Sequence, residues 1–96
     1  MTITNKNDAN KAAVLERLSA VRSALKNGPQ NADVTRALEQ CERLEQAITQ
    51  FHAEGLRFAA FTLLRLVFAR GTAFTEPVQI ATQNLKSALE TAGYPH

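Results

Sequence analysis

Residues Leu56 to Ala69 read LRFAAFTLLRLVFA, a stretch that is apolar on nearly every side of a helix. At about 100° per residue, Leu56, Ala60, Leu63, Leu64 and Val67 share one face, the usual pattern of a helix laid against a core. Phe58, Phe61 and Phe68 fall on the opposite side, beside Arg57 and Arg65, where a surface helix is ordinarily polar. A helix with two apolar faces needs two neighbours. The stretch therefore points to contact with a partner.

The segments on either side read as helices and their punctuation. Asn7 or Asp8 can cap a first helix whose Val14, Leu18, Val21 and Leu25 recur at spacings of four, three and four. Asn27-Gly28-Pro29 ends it, because glycine permits a left-handed cap and proline cannot extend the ladder. Asn31 or Asp33 opens the next helix, with Val34, Ala37, Leu38, Cys41, Leu44, Ile48 and Phe51 on one face. No proline, Asn-Gly pair or serine cluster separates that face from Leu56, and Gly55 is the single weak point. One long helix over about 32–70 is predicted, roughly 58 Å long at 1.5 Å per residue. Arg70-Gly71 closes it. Thr75-Glu76-Pro77 starts the last helix, whose stripe is Val78, Ala81, Leu85, Ala88, Leu89 and Ala92, and Gly93 with Pro95 ends it.

These lengths predict an all-α, three-helix protomer. The two shorter helices fold back antiparallel along separate halves of the central one, and two copies pair about a twofold axis into a helical-bundle homodimer. Phe51 and Phe58, one heptad apart, suit the seam, with Gly55 between them as a point of close backbone approach. The alternative is a compact four-helix monomer bent at Gly55, with the phenylalanines inside. Either way the chain forms one helical domain over residues 8–96, preceded by a polar, disordered tail at 1–7.

The totals narrow the classes of function. A chain of 96 residues that is 45% apolar and 21% charged is an ordinary single globular domain. Its net charge of +2 does not argue for nucleic acid. One cysteine, Cys41, forms no internal disulfide, and MTITNKNDAN lacks the apolar centre of a signal peptide, so a cytoplasmic location is expected. The run from Leu56 to Ala69 is shorter than the roughly 20 residues that span a bilayer.

Few residues carry chemistry. Cys41 and His52 lie eleven residues apart, too far along one helix to share a metal or act as nucleophile and base. Cys41 reads as a small core residue among Leu38 and Leu44. Arg36, Glu39, Glu42, Arg43 and Glu45 read as charged helix surface. His52-Ala53-Glu54-Gly55 resembles the phosphoacceptor segment of histidine phosphotransfer domains, and that resemblance implies a phosphorylatable imidazole at His52. It is confined to those four residues. Where that family has lysine and glycine at the third and fourth positions after the histidine, this chain has Gly55 and Leu56. The bland alternative is a boundary histidine packed against its neighbours.

Arginines interleaved with phenylalanines over residues 57–70 can stack on bases or enter an anionic membrane surface. They are equally the residues of protein interfaces. The reading preferred from sequence is a non-enzymatic interaction module (a small adaptor, regulator or chaperone-like protein) that binds itself and another protein and needs no cofactor or metal. Its contact residues are Phe51, Gly55, Phe58, Phe61, Arg65 and Phe68. A phosphotransfer domain using His52 and a weak nucleic-acid or membrane-surface binder are the alternatives.

Overall fold

Each apolar stripe ends where the chain supplies groups to satisfy a helix terminus, and those ends set the architecture. The computed structural model describes residues 6–50, 52–70 and 73–94, with side chains from residue 9 onward. Its helices are α1 (Lys6–Asn27), α2 (Ala32–Gln50), α3 (Ala53–Ala69) and α4 (Glu76–Ala92), with no strand among the described residues. Residues 1–5 of the expected tail lie outside the described residues, while Lys6 and Asn7, also assigned to that tail, belong to α1.

Helix α1 buries Val14, Leu18, Val21 and Leu25, the stripe expected of it. After Asn27 the side-chain amide of Gln30 donates to the carbonyls of Leu25 and Gly28 at 3.1 and 2.9 Å, filling acceptors that a helix end leaves open. Asn31 then caps α2, its Oδ1 accepting from the Val34 N–H at 2.9 Å.

The predicted continuous helix over 32–70 does not form. Helix α2 stops at Gln50 and α3 starts at Ala53, so the chain turns three residues before Gly55. The cause is a double use of His52. Its N–H donates to the Ala47 carbonyl at 2.9 Å, the six-to-one bond that closes a Schellman-type helix end. Its ring Nδ1 accepts from the Gly55 N–H at 3.0 Å, and its extended backbone makes it the N-cap of α3. One residue thus supplies a hydrogen bond to each of the two helix ends. Gly55 serves this cap: a Cβ there would stand 2.8 Å from the imidazole Nδ1.

Helix α4 begins after Thr75, whose backbone is extended as expected but whose hydroxyl makes no capping hydrogen bond. The Gln79 side chain donates to the Phe74 carbonyl at 3.2 Å, tying the first turn to the segment before it. At the other end Gly93 has φ 72°, and the Tyr94 N–H donates to the Leu89 carbonyl at 3.0 Å, a glycine-terminated Schellman motif.

The break changes the packing as well as the helix count. α1 packs most extensively against α4 and α2 against α3, while smaller α1–α2 and α3–α4 contacts close the ring. Asn10, Ala13 and Arg17 share a groove with Ser87 and Thr91, so the start of α1 lies beside the end of α4. The outer helices are thus each other's main partners, rather than lying along separate halves of a rod. The longest dimension is 47 Å, shorter than the predicted helix alone. A radius of gyration of 13.2 Å is close to the roughly 12.5 Å of a compact chain this long.

Into this bundle go Leu44, Ile48, Leu63, Val67, Leu85 and Leu89, each contributing about 1.5–3 kcal/mol on full burial. Ala37, Ala47, Ala59 and Ala60 are buried too, small residues that let α2 and α3 approach closely. Phe74 is 6% exposed and belongs to the core. Thr82, a polar residue in line with the Val78–Leu85–Leu89 stripe, is fully buried; its hydroxyl donates to the Val78 carbonyl at 2.7 Å.

Candidate interaction surface

Helix α3 makes a polar contact at each end, and its buried apolar face fixes which side faces out. His52 caps its start. At its end Arg70 reaches Asp33 at the start of α2, 3.8 Å away, where Asp33 also meets Arg36 at 3.9 Å. Between these ends Leu56, Ala59, Ala60, Leu63, Leu64 and Val67 are buried. The remaining arc carries Phe58, Phe61 and Phe68, which keep 64%, 50% and 43% of their surface in solvent. The four-helix alternative therefore forms in its backbone but does not enclose the rings, as that alternative required.

Within this arc Arg65 sits with its guanidinium carbon 5.9 Å from the centre of the Phe61 ring, a cation–π contact at an exposed site. Phe61 and Arg65 form a ridge with a shallow depression on each side. One depression is lined by Leu64, Phe68, Ala69 and, across from them, Lys86 of α4. The other is lined by Thr62, Leu66 and Arg70. Ile80 is exposed on α4 but stands outside both depressions.

Of the residues expected at an interface, Phe58, Phe61, Arg65 and Phe68 share this surface. Gly55 lies in the first turn of α3, where the nearest atoms to its open side belong to His52 and Ala47 of its own chain. Phe51 lies outside the described residues, and its heptad relation to Phe58 is interrupted because α2 and α3 are separate helices. Sequence reasoning overlooked Lys86, whose spacing on α4 gives no hint of a neighbour on α3. It also overlooked the Arg70–Asp33 pair, which ties one of the three arginines of the patch to a carboxylate.

The chemistry-bearing residues are dispersed. Cys41 is fully enclosed, and burial pushes its thiol up from 9.0 to about 12, with nearby Arg22 lowering and Glu45 raising it by less. Such a thiol is a packing group and a poor nucleophile. His52 is exposed at the other end of α2, its Nδ1 engaged with Gly55, so the neutral ring carries its proton on Nε2. Glu45 pairs with Arg22 of α1. No group of three or more His, Cys, Asp or Glu capable of holding a metal occurs among the described residues. None of the described helices is long and apolar enough to cross a membrane.

Compared with protein-family models, with characterised proteins and with solved structures, the chain matches none.

Proposed function

We propose that this chain is a non-enzymatic interaction module whose working surface is the outer face of α3, and that a second copy of the chain is among its partners. The observation that carries this reading is the trio of phenylalanines on one face of α3 that keep between 43% and 64% of their surface in solvent. Large aromatics at the centre of a patch with arginine beside them are the typical anchors of protein interfaces. Their number is small enough for a soluble monomer to tolerate at low concentration, and large enough to reward association. An adaptor, a regulator or a chaperone-like protein would all use such a face.

Two features favour protein over nucleic acid as the partner. Arg70 is engaged with Asp33, and Arg65 lies over Phe61, so the patch is more apolar than cationic. Phosphate binding draws on many uncommitted Lys and Arg side chains. The structural role of the His52 ring as a helix cap favours the bland reading of that histidine over a phosphoacceptor. A single, deeply buried thiol suits a reducing cytoplasm.

Sedimentation equilibrium tests the reading. The wild-type chain, of 10.5 kDa, is expected to approach twice that mass as its concentration rises. Phe58→Glu should hold it at the monomer mass with an unchanged far-ultraviolet circular dichroism spectrum, because the substituted side chain makes little contact within the chain. A wild-type chain that stays monomeric and binds no protein, or a Phe58→Glu variant that associates like the wild type, would refute it.

A further inference from the structure

We infer that two copies of the chain meet through α3 alone, antiparallel, in a single register centred on Leu63. This rests on the self-association proposed above and adds the orientation and register. Phe58, Phe61, Arg65 and Phe68 are all exposed, and they follow one another at spacings of three, four and three. That is the spacing of the inward positions of a helix that packs by knobs into holes against another helix. The spacing also reads the same in both directions. Turned about a twofold axis level with Leu63, it sets Phe58 against the partner's Phe68 and Phe61 against the partner's Arg65, each pair occurring twice. No other antiparallel register pairs all four layers.

Charge selects the orientation. In a parallel pair Arg65 would face its own copy across the seam, and like charges at an inward position are destabilising. In the antiparallel pair it faces the partner's Phe61. The guanidinium already lies 5.9 Å from a phenylalanine ring within its own chain, so it is poised over an aromatic surface before the second ring arrives. The two copies of Arg57 end up roughly 18 Å apart along the helix axis at 1.5 Å per residue, beyond the ~8 Å over which exposed charges act in physiological salt. Residues 55–75 contain no carboxylate that could attract an arginine of the second copy elsewhere along the helix.

Shape agrees with this register. The depressions flanking the Phe61–Arg65 ridge are floored by Leu64 on one side and Leu66 on the other. In the antiparallel register the partner's Phe61 arrives level with Arg65, where both depressions open. The area sets the strength. With a fully exposed phenylalanine at roughly 200 Å², the three rings of each copy leave about 300 Å² in solvent. Both copies together thus offer about 600 Å² of ring, plus aliphatic stems, against the ~1,200 Å² at which stable interfaces begin. The pair is therefore a weak dimer, with a dissociation constant in or above the roughly micromolar range.

Spin-label distances at millimolar protein test the inference, with labels on Glu54→Cys and, separately, on Ala69→Cys. Both positions are exposed, Glu54 away from the seam and Ala69 at the rim of the depressions beside it, and the buried thiol of Cys41 stays unlabelled. The antiparallel register predicts axial separations of roughly 27 Å between the two copies of residue 54 and roughly 18 Å between those of residue 69. Short separations at both sites, under about 15 Å, would mean a parallel pair and overturn the register while leaving self-association intact. A dimer whose separations fit neither pattern would move the interface off α3. A strictly monomeric chain in sedimentation would overturn the register and the self-association beneath it together. As a second check, Phe58→Glu and Phe68→Lys should each be monomeric alone and associate when mixed, because the register sets those positions opposite one another. Failure of the mixture to associate while the wild type dimerises would also overturn the register.

Discussion

Phe61 and Leu63 stand two residues apart on α3, yet Leu63 is fully enclosed and Phe61 keeps half its surface in solvent. The two sides of this helix are similar in apolar content and differ in kind. The enclosed side is built from leucine, valine and alanine, which interdigitate with α2 and α4 at small volume cost. The open side is built from phenylalanine and arginine, bulky planar groups that the other three helices leave uncovered on this arc, although the same bundle encloses Phe74. Apolarity alone does not say whether a residue supports the fold or presents a surface. Residue type and the covering capacity of the rest of the chain decide it.

The sharpest way to break this contrast is to truncate one residue on each side. Leu63→Ala should destabilise the monomer by about 2–5 kcal/mol, since it removes buried methyls and leaves a cavity. Phe58→Ala, measured by urea denaturation at low micromolar concentration, should cost no more than about 0.5 kcal/mol, the range of ordinary surface changes. Equal losses at the two positions would mean that the outer rings are part of the core.

The start of α3 offers an intermediate effect. Removing the capping ring with His52→Ala should cost about 0.5–2 kcal/mol, and His52→Asn, which keeps a capping acceptor, should recover most of it. Gly55→Ala should cost a comparable amount, because its Cβ would crowd the imidazole at 2.8 Å. A stabilised Gly55→Ala variant would show instead that Gly55 is only a poor helix former. The smallest effect is expected at Gln40, whose side-chain carbonyl oxygen is buried without a hydrogen-bond partner. Gln40→Met keeps the approximate volume and removes that atom, so thermal unfolding should show a gain of up to about 1 kcal/mol.

Much of the fold was legible because burial leaves a period in the sequence. The α1 stripe from Val14 to Leu25, the Asn31 start and the Gly93 stop stand where residue types require them, and α1 ends before Gly28 as expected, though without the left-handed backbone expected of that glycine. The break between α2 and α3 was legible only as the alternative bend at Gly55, and its position before His52 was not. A helix stop is ordinarily announced by glycine just past the last turn, as at Gly93. Here the chain has Phe51 and His52, and the only glycine nearby comes three residues after the turn, where it serves the next helix's cap. The signal was a side-chain acceptor three residues ahead of a glycine, in the middle of an otherwise unbroken apolar pattern. With the unbroken rod preferred, the pairing of α1 with α4 was not inferred, because a rod keeps those helices apart. The ring face was legible for the opposite reason: Phe58, Phe61, Arg65 and Phe68 belong to one uninterrupted helix in both readings.

The central claim is that the rings of α3 are uncovered within one chain and covered by another. Fluorine resonance of the chain carrying fluorophenylalanine, assigned by single substitutions and compared in light and heavy water, tests it most directly. At low micromolar concentration the signals of residues 58, 61 and 68 should show a solvent isotope shift and that of Phe74 should not; at millimolar concentration the three should lose it. Rings shielded from solvent in the dilute sample, or still wet in the concentrated one, would contradict the account.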